Sequence, residues 1–184
     1  MRKLIAAINM TFAAFCDHTY GIADEELHQH FTDLINSGDT ILYGRKTYQL
    51  MEDYWPTLIK QPSGDKTMDD FAIAIDKIPK IVFSHTLKSL QWDSARLAKG
   101  NIQEEVLALK NETGGPIFVG SPSLIVECTN LKLVDEYHIC VHPVIAGKGL
   151  PLFKNMTGSV NLNLVKAKTF VSGVVVLYYT TKKN

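Results

Sequence analysis

Apolar residues fall along this chain in short uninterrupted runs, each followed by a segment whose apolar positions recur at helical spacing. Leu4-Ile5-Ala6-Ala7-Ile8 carries no alternation, which predicts a strand over 3–8 buried on both faces. An irregular crossing over 10–23 follows, and Asp24-Glu25-Glu26 then opens a helix with acid in its first turn and Leu27, Phe31, Leu34 and Ile35 along its buried face. Gly38 ends that helix. A strand over 40–43 leads through Gly44 into a helix over 46–52, and Trp55-Pro56 begins a polar loop reaching Asp65. Thr67 with Asp70 has the spacing of a helix cap. Lys80–Phe83 is a third strand. Asn101 with Glu104 repeats the capping pattern for a helix through Leu109, and Gly114-Gly115 lies beyond its end.

Pro116–Val119 is a fourth strand, closed by Gly120. Ser121 at the cap and Pro122 at the first helical position start another helix. Tyr137–Val141 is a further strand. Two more, over 163–169 and 174–180, are joined by Ser172-Gly173, a hairpin signal. Strands alternating with helices and ending in a hairpin predict an α/β fold, a three-layer αβα sandwich. Its central sheet should be mostly parallel, with an antiparallel C-terminal hairpin.

The 184 residues fit one domain over 1–184, long enough for a real core. Charge cancels at 19 basic and 19 acidic residues, so neither nucleic acid nor a membrane surface is an expected partner, and any anion must meet a local cluster. Cys16, Cys128 and Cys140 are three in number and lie in apolar stretches, the pattern of reduced thiols in a cytoplasmic protein. Met1-Arg2-Lys3 before the first apolar run has the outline of a short signal peptide, but Asn9 interrupts the run early and a first buried strand is expected instead. Lys182-Lys183 reads as a solvated tail.

The chemistry gathers at strand ends. Gly44-Arg45-Lys46-Thr47 follows a buried strand and opens a helix, so unpaired backbone N–H groups meet the positive end of a helix dipole beside two cations, a favourable place for a phosphate. The same residues also describe an ordinary tight connection with solvated cations. Ser84-His85-Thr86 and Gly120-Ser121-Pro122-Ser123 occupy the same position after two other strands, where ligands bind in open α/β sheets. Together the three ends suit a dinucleotide. His138 with His142, Cys16 with His18, and His28 with His30 do not make the three or four converging ligands of a zinc site, so no metal is expected. Gly120-Ser121-Pro122-Ser123-Leu124 lacks the final glycine of a nucleophile elbow.

The ordered set Gly44-Arg45-Lys46-Thr47-Tyr48, Tyr54-Trp55-Pro56, Ser84-His85-Thr86-Leu87, Gly120-Ser121-Pro122-Ser123-Leu124, Val134-Asp135-Glu136, Pro143-Val144-Ile145-Ala146-Gly147-Lys148-Gly149 and Leu152-Phe153 resembles the dihydrofolate reductase-like family. More narrowly it is similar to the bacterial branch that includes the reductase domain of riboflavin biosynthesis. The resemblance spans almost the whole chain and implies NADPH lying across the strand ends. Gly44, Arg45, Lys46 and Thr47 would take phosphates, Ser84, His85 and Thr86 the adenosine ribose side, and Gly120, Ser121, Pro122, Ser123 and Leu124 the diphosphate. Ala7 and the loop over 143–149 would approach the nicotinamide. It implies hydride transfer to a pteridine, folate-like or pyrimidine ring entering near Asn9, Phe12, Tyr48 and Trp55. The final strands over 163–169 and 174–180 are rich in Val, Leu and Tyr, an exposed edge that invites pairing, and the resemblance points the same way, to a homodimer.

Departures from the family pattern bear on catalysis. Where this branch reads Leu-Asp-Gly after the first strand, the chain has Phe12-Ala13-Ala14. The proton-donating carboxylate that dihydrofolate reductases carry on the first helix falls in register on Leu27 or His28, with Glu25 and Glu26 a turn earlier. The residue after the third-strand serine, often arginine, is His85. No catalytic acid is assigned, and the alternative to a reductase is a nucleotide-binding protein on the same scaffold with little catalysis.

Overall fold

In a computed structural model, which describes residues 1–182, the apolar runs become strands of one sheet. These are β1 Leu4–Thr11, β2 Thr40–Gly44, β3 Lys80–Phe83, β4 Ala95–Leu97, β5 Ile117–Val119, β6 Glu136–His142, β7 Leu162–Thr169 and β8 Val175–Thr181. Their order in space is β4-β3-β2-β5-β1-β6-β8-β7. Neighbours from β4 through β6 pair parallel, and β8 runs antiparallel to both β6 and β7.

The helices are α1 Glu25–Asn36, α2 Arg45–Lys60, α3 Lys66–Lys77, α4 Ile102–Asn111 and α5 Pro122–Asn130. The two-residue period of β1 sorts them into layers. Leu4, Ala6 and Ile8 face Val106 of α4 and Ile125 of α5. Ile5 faces the other way, toward Ile35 of α1, Tyr48 of α2 and Ile75 of α3. Helices on both faces explain why the central runs lack alternation: neither side of the sheet meets water. The αβα sandwich with its C-terminal hairpin is the architecture expected from the sequence.

Several boundaries differ. β1 continues past Ile8 to Thr11, which carries Asn9 and Thr11 to the carboxyl edge of the sheet. α2 does not stop at Glu52 but runs through Pro56 to Lys60. An interior proline removes a helical hydrogen bond and costs about 3 kcal/mol against other residues. The Trp55 ring offsets part of this by meeting Phe71 of α3 edge-on, with centroids 4.5 Å apart. The cap of α3 is Asp65, whose side chain accepts from the Thr67 and Met68 amides, rather than Thr67. The Asn101–Glu104 capping box of α4 forms as its spacing predicts.

β4 is an edge strand with no periodicity to announce it. At the other end the last strand does not form the edge. β8 is inserted between β6 and β7, burying Val176 and Tyr178, and β7 alone is outermost. The turn between them uses Gly173 at φ 83°, a conformation glycine adopts without strain. Among the described residues no helix is long and apolar enough to cross a membrane. Lys183 of the expected tail lies outside the described residues.

Candidate functional site

The sheet order places the carboxyl ends of β3, β2, β5, β1 and β6 in a row, so the three strand ends singled out in the sequence become neighbours. Side chains cap three of the five helices: Asp24 caps α1, Asp65 caps α3 and Asn101 caps α4. α2 and α5 are different. Gly44 offers no side chain, and Ser121 makes no cap bond at its own helix. The Ser121 hydroxyl instead accepts from the Gly44 amide at 2.8 Å, tying the two helix starts together. The first-turn amides of α2 at Arg45, Lys46 and Thr47, and those of α5 at Ser123 and Leu124, therefore have no capping side chain.

Gly44 itself sits at φ −78°, open to any residue. A Cβ there would stand 3.6 Å from Ser123 Oγ and 3.7 Å from Ser121 Cβ, in the gap between the two helix starts. The protein makes no steric demand for glycine at this place; what glycine preserves is the open gap. Arg45 and Lys46 are exposed beside it, with Arg45 Nη1 reaching Gln49 Oε1 at 3.3 Å. After β3, Ser84 Oγ accepts from the Thr86 and Leu87 amides at 3.2 and 3.0 Å, so this hydroxyl shapes its own turn. His85 and Thr86 are exposed.

A cleft of about 580 Å³ opens on the α1, α2 and α3 side of the sheet, within the usual range for small-molecule sites. Its walls are apolar: Leu27 and Phe31 from α1, Met51 and Trp55 from α2. Its polar side chains include Asn9 and Thr11 on β1, Asp17 and His18 in the segment after it, His28 on α1, Thr47 and Tyr54 on α2, and His142 at the end of β6. The His28 Nδ1 is buried with no hydrogen-bond partner in the protein. His142 accepts from the Ile22 amide at Nδ1 and meets Asn9 Oδ1 at Nε2, and its burial lowers the imidazole below its ordinary range. Burial also pushes the Cys16 thiol, in the same cleft, up to about 12, which excludes a thiolate there at neutral pH.

Of the residues expected to hold a cofactor, Ala7, Thr47, Gly120 and Pro122 line the cleft. Gly44, Arg45, Lys46, Ser121 and Ser123 surround the helix starts, Ser84, His85 and Thr86 lie one strand outward, and Leu124 is in the core with only its backbone available. Of the four expected near a substrate, Asn9 and Trp55 line the cleft. Tyr48 and Phe12 do not. Tyr48 is 1% exposed, bonded through its hydroxyl to Glu52 and to the Trp92 amide. Phe12 is 72% exposed and points outside.

The loop over 143–149 does not line the cleft either. It lies along the turn after β1, where Phe12 N donates to Val144 O, Cys16 N to Leu150 O and Leu152 N to Ala14 O. Ala14 in that turn has φ 61°, left-handed, at the place where the family carries glycine. Glu25 and Glu26 stay outside the cleft, whereas Leu27 and His28 are both in it. In the sequence His142 stood out only as a partner of His138 in a pair too small for a metal site. No local pattern announces that it meets Asn9, which is 133 positions away.

Comparison with known proteins places these observations in a family. The model of the RibD C-terminal domain matches residues 12–176. The uncharacterized protein YyaP of Bacillus subtilis (strain 168) is 37% identical over 182 residues, covering 97% of this chain and 94% of its own. The fold is shared with a Shewanella sp. PV-4 protein provisionally assigned to riboflavin biosynthesis, at TM-score 0.74 and 19% identity over 98% of this chain and 99% of that one. It is shared too with Enterococcus faecalis dihydrofolate reductase complexed with NADP(H), at TM-score 0.63 and 14% identity over 98% and 97%.

Proposed function

The chain belongs to the RibD C-terminal domain family, and on that premise we propose that it is an NADPH-dependent reductase of a heterocyclic small molecule, a pteridine, folate-like or pyrimidine ring. The observation that carries this reading is the pair of helix starts without capping side chains, α2 and α5, joined by the Gly44–Ser121 bond and opening onto an apolar cleft. Free amides at two helix N-termini, with Arg45 and Lys46 beside them, fit a diphosphate, and the gap that a Cβ at Gly44 would fill leaves room for it. Gly44, Arg45, Lys46, Thr47 and the Ser123 and Leu124 amides would hold the diphosphate. Ser84, His85 and Thr86 would take the ribose phosphate, and Ala7 and Gly120 would flank the nicotinamide. When bound, the cofactor supplies a hydride.

The chain's own residues then have clear tasks. Phe31, Met51 and Trp55 exclude water and stack against a flat ring, while Asn9 and Thr47 offer it hydrogen bonds. Of the titratable side chains lining the cleft, Asp17 is engaged by Thr19 and His18, and His142 by the Ile22 amide, so the proton that accompanies hydride transfer is assigned to His28, whose buried Nδ1 is unmatched. Copies of the chain pair into a homodimer. The three thiols, none in a disulfide, support a reducing, cytoplasmic compartment. Calorimetric titration with NADPH, followed by an NADPH-oxidation screen over pterins, dihydrofolate and pyrimidine precursors, tests the proposal. Binding with turnover is the expected result, and no NADPH binding overturns it. The second reading, a nucleotide-binding protein with little catalysis, is favoured by Ala13-Ala14 and predicts binding without turnover on every ring.

A further inference from the structure

One pair of side chains at the floor of the cleft is set by a backbone amide. His142 is 3% exposed and yet lines the cleft. Its Nδ1 lies 3.0 Å from the Ile22 amide nitrogen, a group that can only donate. Nδ1 is therefore the unprotonated nitrogen, and the ring proton is on Nε2. Nε2 stands 3.1 Å from the Asn9 side chain and 3.7 Å from Cys140 Sγ. A donor on Nε2 calls for an acceptor, so the Asn9 carbonyl turns to His142 and its NH2 turns away. Asn9 is exposed to the cleft, and among the described residues no protein acceptor meets its Nδ2.

We infer that His142 is a positioning residue and Asn9 a specificity-determining one: His142 clamps the Asn9 amide with its NH2 toward the cleft, and the ring bound there presents a carbonyl oxygen at that point. This rests on the ring-binding reading of the cleft given above. A ring that presents an amino group instead sets donor against donor and leaves both unpaired in an apolar surround. The resulting discrimination is about tenfold or more. Phe31, Met51 and Trp55 give the cleft apolar walls, against which an unpaired donor at Asn9 is costly.

The test uses the full chain. A long-range proton–nitrogen correlation spectrum of histidine-labelled protein reads the His142 tautomer without any ligand, and the proton is expected on Nε2. Calorimetry in the presence of NADPH then compares rings that exchange a carbonyl for an amino group, pterin against 2,4-diaminopteridine and uracil against cytosine. The wild-type chain prefers the carbonyl member by about tenfold or more. Asn9→Asp, which turns an acceptor to the cleft, abolishes or reverses the preference. His142→Leu, which lets the amide rotate, brings it close to unity, and His142→Gln, able to accept from Ile22 and donate to Asn9, restores part of it. A proton on Nδ1, or a preference unchanged in Asn9→Asp, overturns the inference while leaving ring binding intact. Failure of every ring to bind overturns the ring-binding reading, and the tautomer still judges the clamp. Should His142→Leu not fold, Asn9→Asp and the tautomer decide.

Discussion

Ala14 holds φ 61° in the turn after β1, its amide donating to Thr11 O at 2.8 Å, and a left-handed alanine is strained by about 1–2 kcal/mol. Glycine removes that strain but loses more freedom on folding. Ala14→Gly should therefore stabilise by about 0.5–1 kcal/mol, a melting temperature higher by about 1–4 °C in calorimetry; a lower one contradicts it. Ala13, the residue before it, is exposed. The double change Ala13→Asp with Ala14→Gly should raise turnover on standard rings and leave NADPH affinity nearly unchanged, as measured by steady-state kinetics beside calorimetry. At the other end of the row, a phosphate dianion beside the exposed His85 imidazole would favour its charged form. NADPH affinity should rise as pH falls from about 8 toward 6, while NADH, without that phosphate, stays flat. Arg45→Ala should weaken both cofactors, and His85→Ala should weaken NADPH alone and flatten its pH profile. Equal slopes for the two cofactors remove His85 from the site.

At the scale of elements, two glycines separate function from packing. Gly44 joins β2 to α2 with no need for a left-handed backbone and with room for a Cβ. Gly44→Ala should melt at or slightly above the wild-type temperature and bind NADPH at least about tenfold more weakly, since the methyl enters the diphosphate gap. Gly38 joins α1 to β2 under the Phe118 ring, where a Cβ would press into that ring and stand 2.9 Å from Pro116 O. Gly38→Ala should cost about 1–3 kcal/mol of stability in urea unfolding and spare the affinity of the protein that remains folded. The reverse pattern in either variant would break the assignment of the helix starts.

For the molecule as a whole, buried histidines tie stability to pH. Burial, reinforced by Lys168, pulls His30 down to about 4. Burial also lowers His138, against Glu136, and His142, against Asp24. An unfolded histidine takes its proton near pH ~6.5, while these remain neutral in the fold until lower pH. Between those values the unfolded chain holds more protons, so stability is full above about pH 6.5 and is lost as pH falls toward about 4. Urea midpoints at pH 7.5 and pH 5 should differ in that direction, and His30→Gln should shallow the slope. Assembly is the other molecular property. β7 is outermost, with Leu164 56% and Val165 62% exposed, although Lys166, Lys168 and a register shift near Leu164 blunt it. Light scattering should give twice the chain mass of 20.5 kDa at micromolar concentration, and the monomer mass overturns the dimer.

The alternation of apolar runs and helical segments was enough to predict the layers. The capping box of α4, the hairpin glycine and the clustering of chemistry after β2, β3 and β5 were also legible, because each depends on residues within a few positions of one another. Other features depend on partners far away in sequence, which no local period encodes. The run of α2 through Pro56 needs Phe71 beneath Trp55, the burial of Tyr48 needs the Trp92 amide, and the place of β8 inside the sheet needs β6. Ser121 looks like a cap in the sequence, yet its hydroxyl is drawn 77 positions away to Gly44. The floor of the cleft is the extreme case. His142, Ile22 and Asn9 acquire their polarity only when β1 and β6 lie side by side, because a hydrogen bond chooses its direction by what stands within 3 Å and not by what is adjacent in the chain.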